Sequence, residues 1–308
     1  MIDIGFIGAG TVGTALAVRL SGKEYPVVAV SSRTKASAQR LAKTVPGCRV
    51  HDSAQAVADK AQLVFITTPD DAIAQVAAEI QWHPGQGVVH CSGADSTDIL
   101  EPARKRGALV GGFHPLQTFA SVAHAIENIP GSTFAIEADE PLLTTLQEMA
   151  TALEGAHIRL AAGDKVLYHA AAVVACNYLV TLVKLATDMW QSFGVSQQQA
   201  TRALLPLLRG TLNNIDNVGI PNCLTGPIAR GDSGTIKKHI FALERAAPGI
   251  LSTYRELGLQ TIPIALAKGK IDEEKGKELA NAIEHMCQYE ATTTGLNQLR
   301  RSAKKEEV

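Results

Sequence analysis

The chain has 308 residues, 46% of them hydrophobic and 19% charged, with 29 Lys and Arg against 30 Asp and Glu. That length suits two domains rather than one, and the composition is ordinary for a globular protein. A formal charge of −1 gives no field for gathering nucleic acid, so none is expected as a partner.

In chain order, Ile2, Ile4, Phe6 and Ile7 read as a short buried strand, and Thr11 to Arg19 as the first turns of a helix. Between them Gly8, Gly10 and Gly13 fit G-x-G-x-x-G in the setting that gives it meaning. Gly8 permits a tight turn, Gly10 lets a pyrophosphate lie against the backbone, and Gly13 lets the helix pack close to the strand. An anion there would meet the free N–H groups of Thr11, Val12 and Gly13 at the positive end of the helix dipole. The second strand, Val27–Val30, ends in Ser31-Ser32-Arg33-Thr34. An NAD enzyme places an acid at this point for the ribose 2′-hydroxyl, and none is present. Ser32, Arg33 and Thr34 would instead bind a 2′-phosphate through charge-assisted hydrogen bonds, which selects NADP over NAD. Thr34 reads equally as a helix N-cap.

Leu63–Thr67 and Gly87–Cys91 read as further buried strands. They end in Thr68-Pro69 and Ser92-Gly93, along the path of a cofactor laid across the strand ends. Leu109–Gly112 leads into Phe113–Phe119, read as a loop rich in polar and aromatic groups, with His114 and Gln117 as candidates for function. Thr133–Ile136 and His157–Leu160 read as the last strands, with a helix at Pro141–Leu153 between them. The alternation predicts a doubly wound, mostly parallel α/β sheet of the Rossmann type over residues 1–162. From Gly163 the strand signal stops, and 163–308 reads as all-α. Its helices are expected at Lys165–Phe193, Gln197–Leu208, Thr235–Glu244, Ala247–Leu257 and Lys275–Tyr289. The apolar runs Ala170–Ala175 and Tyr178–Val183 are expected to lie in a buried helix rather than a membrane span, because Asn177, Thr181, Lys184 and Asp188 interrupt them.

The five cysteines, Cys48, Cys91, Cys176, Cys223 and Cys287, are odd in number and form no C-x-x-C. They read as reduced thiols in a cytoplasmic protein, with no metal site. No targeting segment is expected, since the first strand begins at Ile2. The terminal Arg300, Arg301, Lys304 and Lys305 mix with Glu306 and Glu307 and read as a frayed end.

These features resemble the 6-phosphogluconate dehydrogenase-like superfamily, which includes pyrroline-5-carboxylate and ketopantoate reductases. Three stretches, His90–Ala94, Gly112–Phe119 and Leu224–Asp232, are similar to one branch: Rossmann-like NADP oxidoreductases with a C-terminal helical domain of unknown function. The resemblance implies hydride transfer from NADP(H) to a small ketopantoate-like oxo acid or an imine, in a site between the two domains. It also implies a homodimer built through the helical domain. Ketopantoate reductases use a Lys and an Asn on the first long helix of the second domain, for which the resemblance offers His169 and Asn177. On this reading His169 donates a proton, Asn177 orients the carbonyl, Arg230 clamps a carboxylate, and His114 lines the wall. Lys165, His169 and Cys176 would share a helix face, and Asp232 or Ser233 would cap the helix after Arg230. The competing reading is a regulatory or redox-sensing protein that binds NADP(H) without turnover.

Overall fold

The computed structural model describes residues 2–285. They form two compact units that part between Tyr178 and Leu179, inside a continuous helix, Asp164–Gln191. The residue expected to open the helical domain, Gly163, precedes that helix as its left-handed N-cap, with φ 93°.

The first unit is built on one eight-stranded sheet. Its strands are β1 (Ile4–Ile7), β2 (Val27–Ser31), β3 (Arg49–Val50), β4 (Leu63–Ile66), β5 (Gly87–His90), β6 (Leu109–Leu116), β7 (Thr133–Ala138) and β8 (Ala156–Arg159). They lie in the order β3-β2-β1-β4-β5-β6-β7-β8. Every pairing is parallel except β6 with β7. The order reverses between β1 and β4, and a crevice opens at their carboxyl ends, the ligand position of doubly wound sheets. β1, β4 and β5 are buried at every residue, as strands covered by helices on both faces must be. On one face four phenyl rings run across the sheet: Phe6 on Phe65 at 5.2 Å, Phe65 on Phe113 at 5.9 Å and Phe113 on Phe134 at 4.5 Å.

The segment Phe113–Leu116 is strand rather than loop. Its pairing with β7 matches Phe113 to Ile136, His114 to Ala135 and Leu116 to Thr133. His114 therefore stands on the sheet, and only Gln117–Phe119 of the expected loop follows the strand.

The long helix is present, but an uninterrupted α-helix is not: Val173–Asn177 is a π turn. The extra residue breaks the period that would put Lys165, His169 and Cys176 on one face. Lys165 is buried while Cys176 is exposed. The expectation of a buried helix fails as well. Lys165 and Thr187 are the buried residues of Asp164–Gln191, whereas Leu167 is 78% and Val180 71% exposed. Among the described residues it is the one helix long and apolar enough to cross a membrane.

In the second unit Ser233–Ala246, Leu251–Ala267 and Glu273–Glu284 pack around Ile236, Ile240, Ile262, Leu279 and Ile283. The helix Gln197–Val218 runs ten residues past its expected end at Leu208. Asp232 caps the first of the packed helices, its carboxylate accepting the Thr235 N–H at 2.9 Å. The end of the helix expected at Lys275–Tyr289, the basic terminal residues and Cys287 lie outside the described residues. The four cysteines within them are free thiols.

Candidate functional site

The glycine loop fits its expected purpose atom by atom. Gly8 has φ 110°, and a Cβ there would come within 2.6 Å of the Thr67 carbonyl. A Cβ on Gly13 would collide with Thr67 Oγ1 and stand 2.8 Å from the Gly8 carbonyl oxygen. Gly10 faces open space, with nothing within 4 Å of its Cβ position. The helix Thr11–Ser21 starts there with no side-chain cap and no acid in its first turn, so its N–H groups are left for an anion. Thr67 fixes the turn by donating its hydroxyl to the Gly8 carbonyl at 2.9 Å.

A cavity of about 650 Å³ extends from this loop past Ser32, Arg33 and Thr34 on one side and Thr68 and Pro69 on the other. Arg33 is exposed. Thr34 sits at the N-cap of Lys35–Thr44, but its side chain caps nothing, so the hydroxyl is available to a ligand. Asp52 also lines the cavity, a carboxylate not foreseen in the sequence, but Lys35 pairs with it at 3.0 Å. The buried Thr68 Oγ1 has no hydrogen-bond partner, and a polar atom in that position asks for one. Open backbone at Gly10, an uncapped helix start, an available guanidinium and an orphaned hydroxyl together fit a dinucleotide carrying a 2′-phosphate.

Beyond the end of β5 the backbone passes between two imidazoles. A Cβ on Gly93 would stand 2.6 Å from His169 Cδ2 and 2.9 Å from His114 Nε2. The two rings are 6.1 Å apart, nearly perpendicular, and His114 Nδ1 lies 2.8 Å from the Tyr168 hydroxyl. Burial pulls His114 down to about 4, with Lys165 and His169 adding to the effect, so it is neutral at pH 7. Burial pushes the Tyr168 phenol up to about 12. Tyr168 therefore keeps its proton at pH 7; in the tautomer in which the phenol donates to His114 Nδ1, the His114 Nε2–H stands over Gly93. Cys91, pushed up to about 12 chiefly by burial, has no thiolate to offer.

Ser92 ties this turn together. Its hydroxyl oxygen lies 2.9 Å from carboxylate oxygens of both Asp70 and Asp95, and it accepts the Asp95 N–H at 3.1 Å. Its carbonyl accepts the Lys165 ammonium at 2.8 Å. Lys165 is 1% exposed. From the sequence it reads as a neighbour of His169 on the helix and as an alternative proton donor, and its burial needs the glycine at 112 to make room.

The remaining expected residues are held by other elements. Asn177 is exposed in the π turn. Gln117 is taken up by its own loop, its amide oxygen accepting the Thr118 N–H at 2.9 Å. Arg230 belongs to the second unit, at the end of the short helix Ile228–Arg230. It faces two cavities there, of about 570 and 350 Å³, shared with Lys270. Lys268 holds the adjoining loop by donating to the carbonyls of Asn222 and Leu224 at 2.8 and 2.7 Å. Among the described residues no cluster of His, Cys, Asp and Glu is fit to hold a metal.

Family models match the chain in two stretches: a Rossmann-like domain at 1–115, and a domain of unknown function, DUF2520, at 132–261. The chain joins a Rossmann-like domain to a DUF2520 domain. The DUF2520 stretch takes in β7, β8, the long helix and the Leu224–Asp232 loop, so it spans both compact units. No curated protein matches the chain. Among solved structures, one from Bacteroides fragilis, named for a proposed NADP oxidoreductase activity, is 26% identical with a TM-score of 0.69, covering 85% of this chain and 98% of its own. A protein from Thermotoga maritima is 24% identical with a TM-score of 0.70, covering 86% of this chain and 99% of its own. A reductive aminase from Aspergillus terreus, solved with NADPH and ethyl levulinate, is 18% identical with a TM-score of 0.64, covering 91% of this chain and 98% of its own.

Proposed function

We propose that this Rossmann–DUF2520 chain is an NADP(H)-dependent oxidoreductase that reduces a small oxo acid or an imine. The observation that carries the reading is Gly93, held between His114 and His169 at the strand ends that continue the glycine-loop crevice. NADPH, when bound, supplies the hydride. The chain's own residues supply the rest. Gly8, Gly10 and Gly13 with the N–H groups of Thr11 and Val12 take the pyrophosphate, and Ser32, Arg33 and Thr34 take the 2′-phosphate. Thr68, Pro69, Ser92 and Gly93, at the carboxyl ends of β4 and β5, would line the nicotinamide end of the site.

His169 delivers the proton to the acceptor oxygen or nitrogen. The Tyr168–His114 pair directs a second N–H at the same place, where it steadies developing negative charge. On the first unit the exposed Asn177 is available to orient a carbonyl; on the second, Arg230 and Lys270 present an exposed guanidinium and ammonium, the groups that bind a carboxylate. The structural likeness to a reductive aminase supports the imine side of the reading, and the name of the Bacteroides fragilis protein supports the cofactor.

The test is NADPH binding by fluorescence, followed by NADPH oxidation against a panel of oxo acids and imines. Oxidation with a member of the panel supports the enzyme. Tight binding with no oxidation across the panel favours the sensor. We also propose that the chain works as a homodimer joined through its apolar helices.

A further inference from the structure

Behind the Ser92–Gly93 turn lies a row of polar groups to which the proposed reaction gives no role. In the sheet register Gly112 of β6 is matched to His90 of β5 on one side and to Glu137 of β7 on the other. Directly opposed residues present their side chains on the same face of a sheet. Gly112 has no side chain, and the Lys165 amine takes the space: a Cβ on Gly112 would stand 2.9 Å from Lys165 Nζ, 3.5 Å from His90 Nε2 and 3.7 Å from Glu137 Cβ.

All three polar side chains are buried, and each has unused hydrogen-bonding capacity. Glu137 Oε1 accepts from the Ser96 hydroxyl, the Thr97 N–H and the Thr97 hydroxyl at 2.9, 3.2 and 2.9 Å, whereas Oε2 has no partner. His90 Nδ1 accepts the Ser92 N–H at 3.2 Å, so its proton is on Nε2, which also has no partner. Lys165 has three N–H bonds and gives one to the Ser92 carbonyl. Two donors and one acceptor without partners are the set that a single bridging water satisfies. Glu137 also lines a cavity of about 520 Å³ on this unit, beside Thr97, Arg104 and Arg159.

We propose that Glu137 is a positioning residue: through one water shared with His90 Nε2, it holds the Lys165 ammonium across Gly112 and so fixes the Ser92–Gly93 turn. The inference rests on the proposed function only in taking that turn as the floor of the nicotinamide site. The groups facing Lys165 are His90 from β5, Cys91 and Asp95 from the loop after β5, His114 from β6, Glu137 from β7, and Asp70 from the helix Asp70–Glu79. Burial draws the Lys165 amine down, and of the groups that oppose this Glu137 acts most strongly, ahead of Cys91, Asp95 and Asp70.

The experiment is an NMR titration of lysine-labelled protein without cofactor, with the Lys165 resonance assigned by Lys165→Met. Glu137→Gln is expected to lower the Lys165 midpoint by about one pH unit or more, the effect of losing a nearby opposite charge. Glu137→Asp, which keeps the charge, is expected to restore most of it. A midpoint in Glu137→Gln within about 0.3 units of the parent overturns the proposal. A high-resolution crystal structure of the unaltered protein is the second test, and keeps the proposal falsifiable if Glu137→Gln fails to fold. A water within hydrogen-bond distance of Glu137 Oε2, His90 Nε2 and Lys165 Nζ supports it, and its absence overturns it. NADPH affinity is then expected to fall as pH rises through the Lys165 midpoint, with the fall moving to lower pH in Glu137→Gln. A shifted Lys165 midpoint in a protein that binds no NADPH at any pH leaves the Glu137–Lys165 link standing and removes the cofactor reading instead.

Discussion

Gly93 sets the tolerance of the site, because the two imidazoles leave no space for a methyl group. Gly93→Ala should displace His169 or His114 and depress turnover by tenfold or more while the fold survives, which circular dichroism and kcat together would check. His169→Ala should lower kcat by about 10²–10⁴-fold, the usual range for a general acid, and leave NADPH affinity unchanged. Near-normal turnover across pH 6–8 would move the donor to Lys165 or to the Tyr168–His114 pair. At the other end of the crevice Arg33→Ala should weaken NADPH and spare NADH, because the guanidinium has work only where there is a 2′-phosphate. Equal losses for the two cofactors, measured by fluorescence titration, would refute that role. These residues differ in how visible they are from sequence. Gly8, Gly10, Gly13 and Arg33 announce themselves through spacing from a strand and a helix. Glu137 does not: within Thr133–Ala138 it is one acid in an apolar run, and only its register opposite Gly112 gives it meaning.

The adjacent strands β5 and β6 carry a buried and a half-buried histidine, His90 and His114, both neutral at pH 7, and they make the first unit sensitive to acid. His90 is pulled down to about 3 and His114 to about 4 from an ordinary value of 6.5, each chiefly by burial. A histidine whose value is lower in the folded than in the unfolded state binds fewer protons when folded, so its contribution is fully present above 6.5 and is lost as pH falls. Stability should therefore decline from about pH 6.5 toward pH 4, by up to about 1.4 kcal/mol per pH unit for each histidine. Thermal unfolding across that range would show it, and His90→Gln should flatten the slope. Element by element, β1, β2, β4 and β5 were legible because their apolar runs are continuous and end in turn residues. β6 was misread beyond Gly112, since His114 and Pro115 look like loop chemistry and the antiparallel partner that recruits them lies some twenty residues on. The two-residue β3 is too short to carry a pattern, and no residue of Val173–Asn177 signals a π turn in the sequence.

At the scale of the molecule, the apolar surface is more than one chain should leave bare. Leu167, Val180 and Leu207 are 78, 71 and 66% exposed, the first two on a helix apolar enough to cross a membrane and the third on the amphipathic helix Gln197–Val218. A second copy of the chain covering these helices would account for it, and sedimentation at micromolar concentration should give a species near twice 32.6 kDa. Leu167→Glu with Val180→Glu should shift it to the monomer. A lone monomer in the unaltered protein would discard the dimer. The sheet carries a different kind of exposure at its two ends. One edge is the two-residue β3; the other is β8, every residue of which is open to solvent. An open edge is a template for foreign strands, and β8 carries His157 and Arg159 where a bare β-former would invite them. Polar and charged side chains at a sheet edge oppose the addition of further strands. Arg159→Val, harmless to the crevice, should make the protein precipitate on dilution from denaturant.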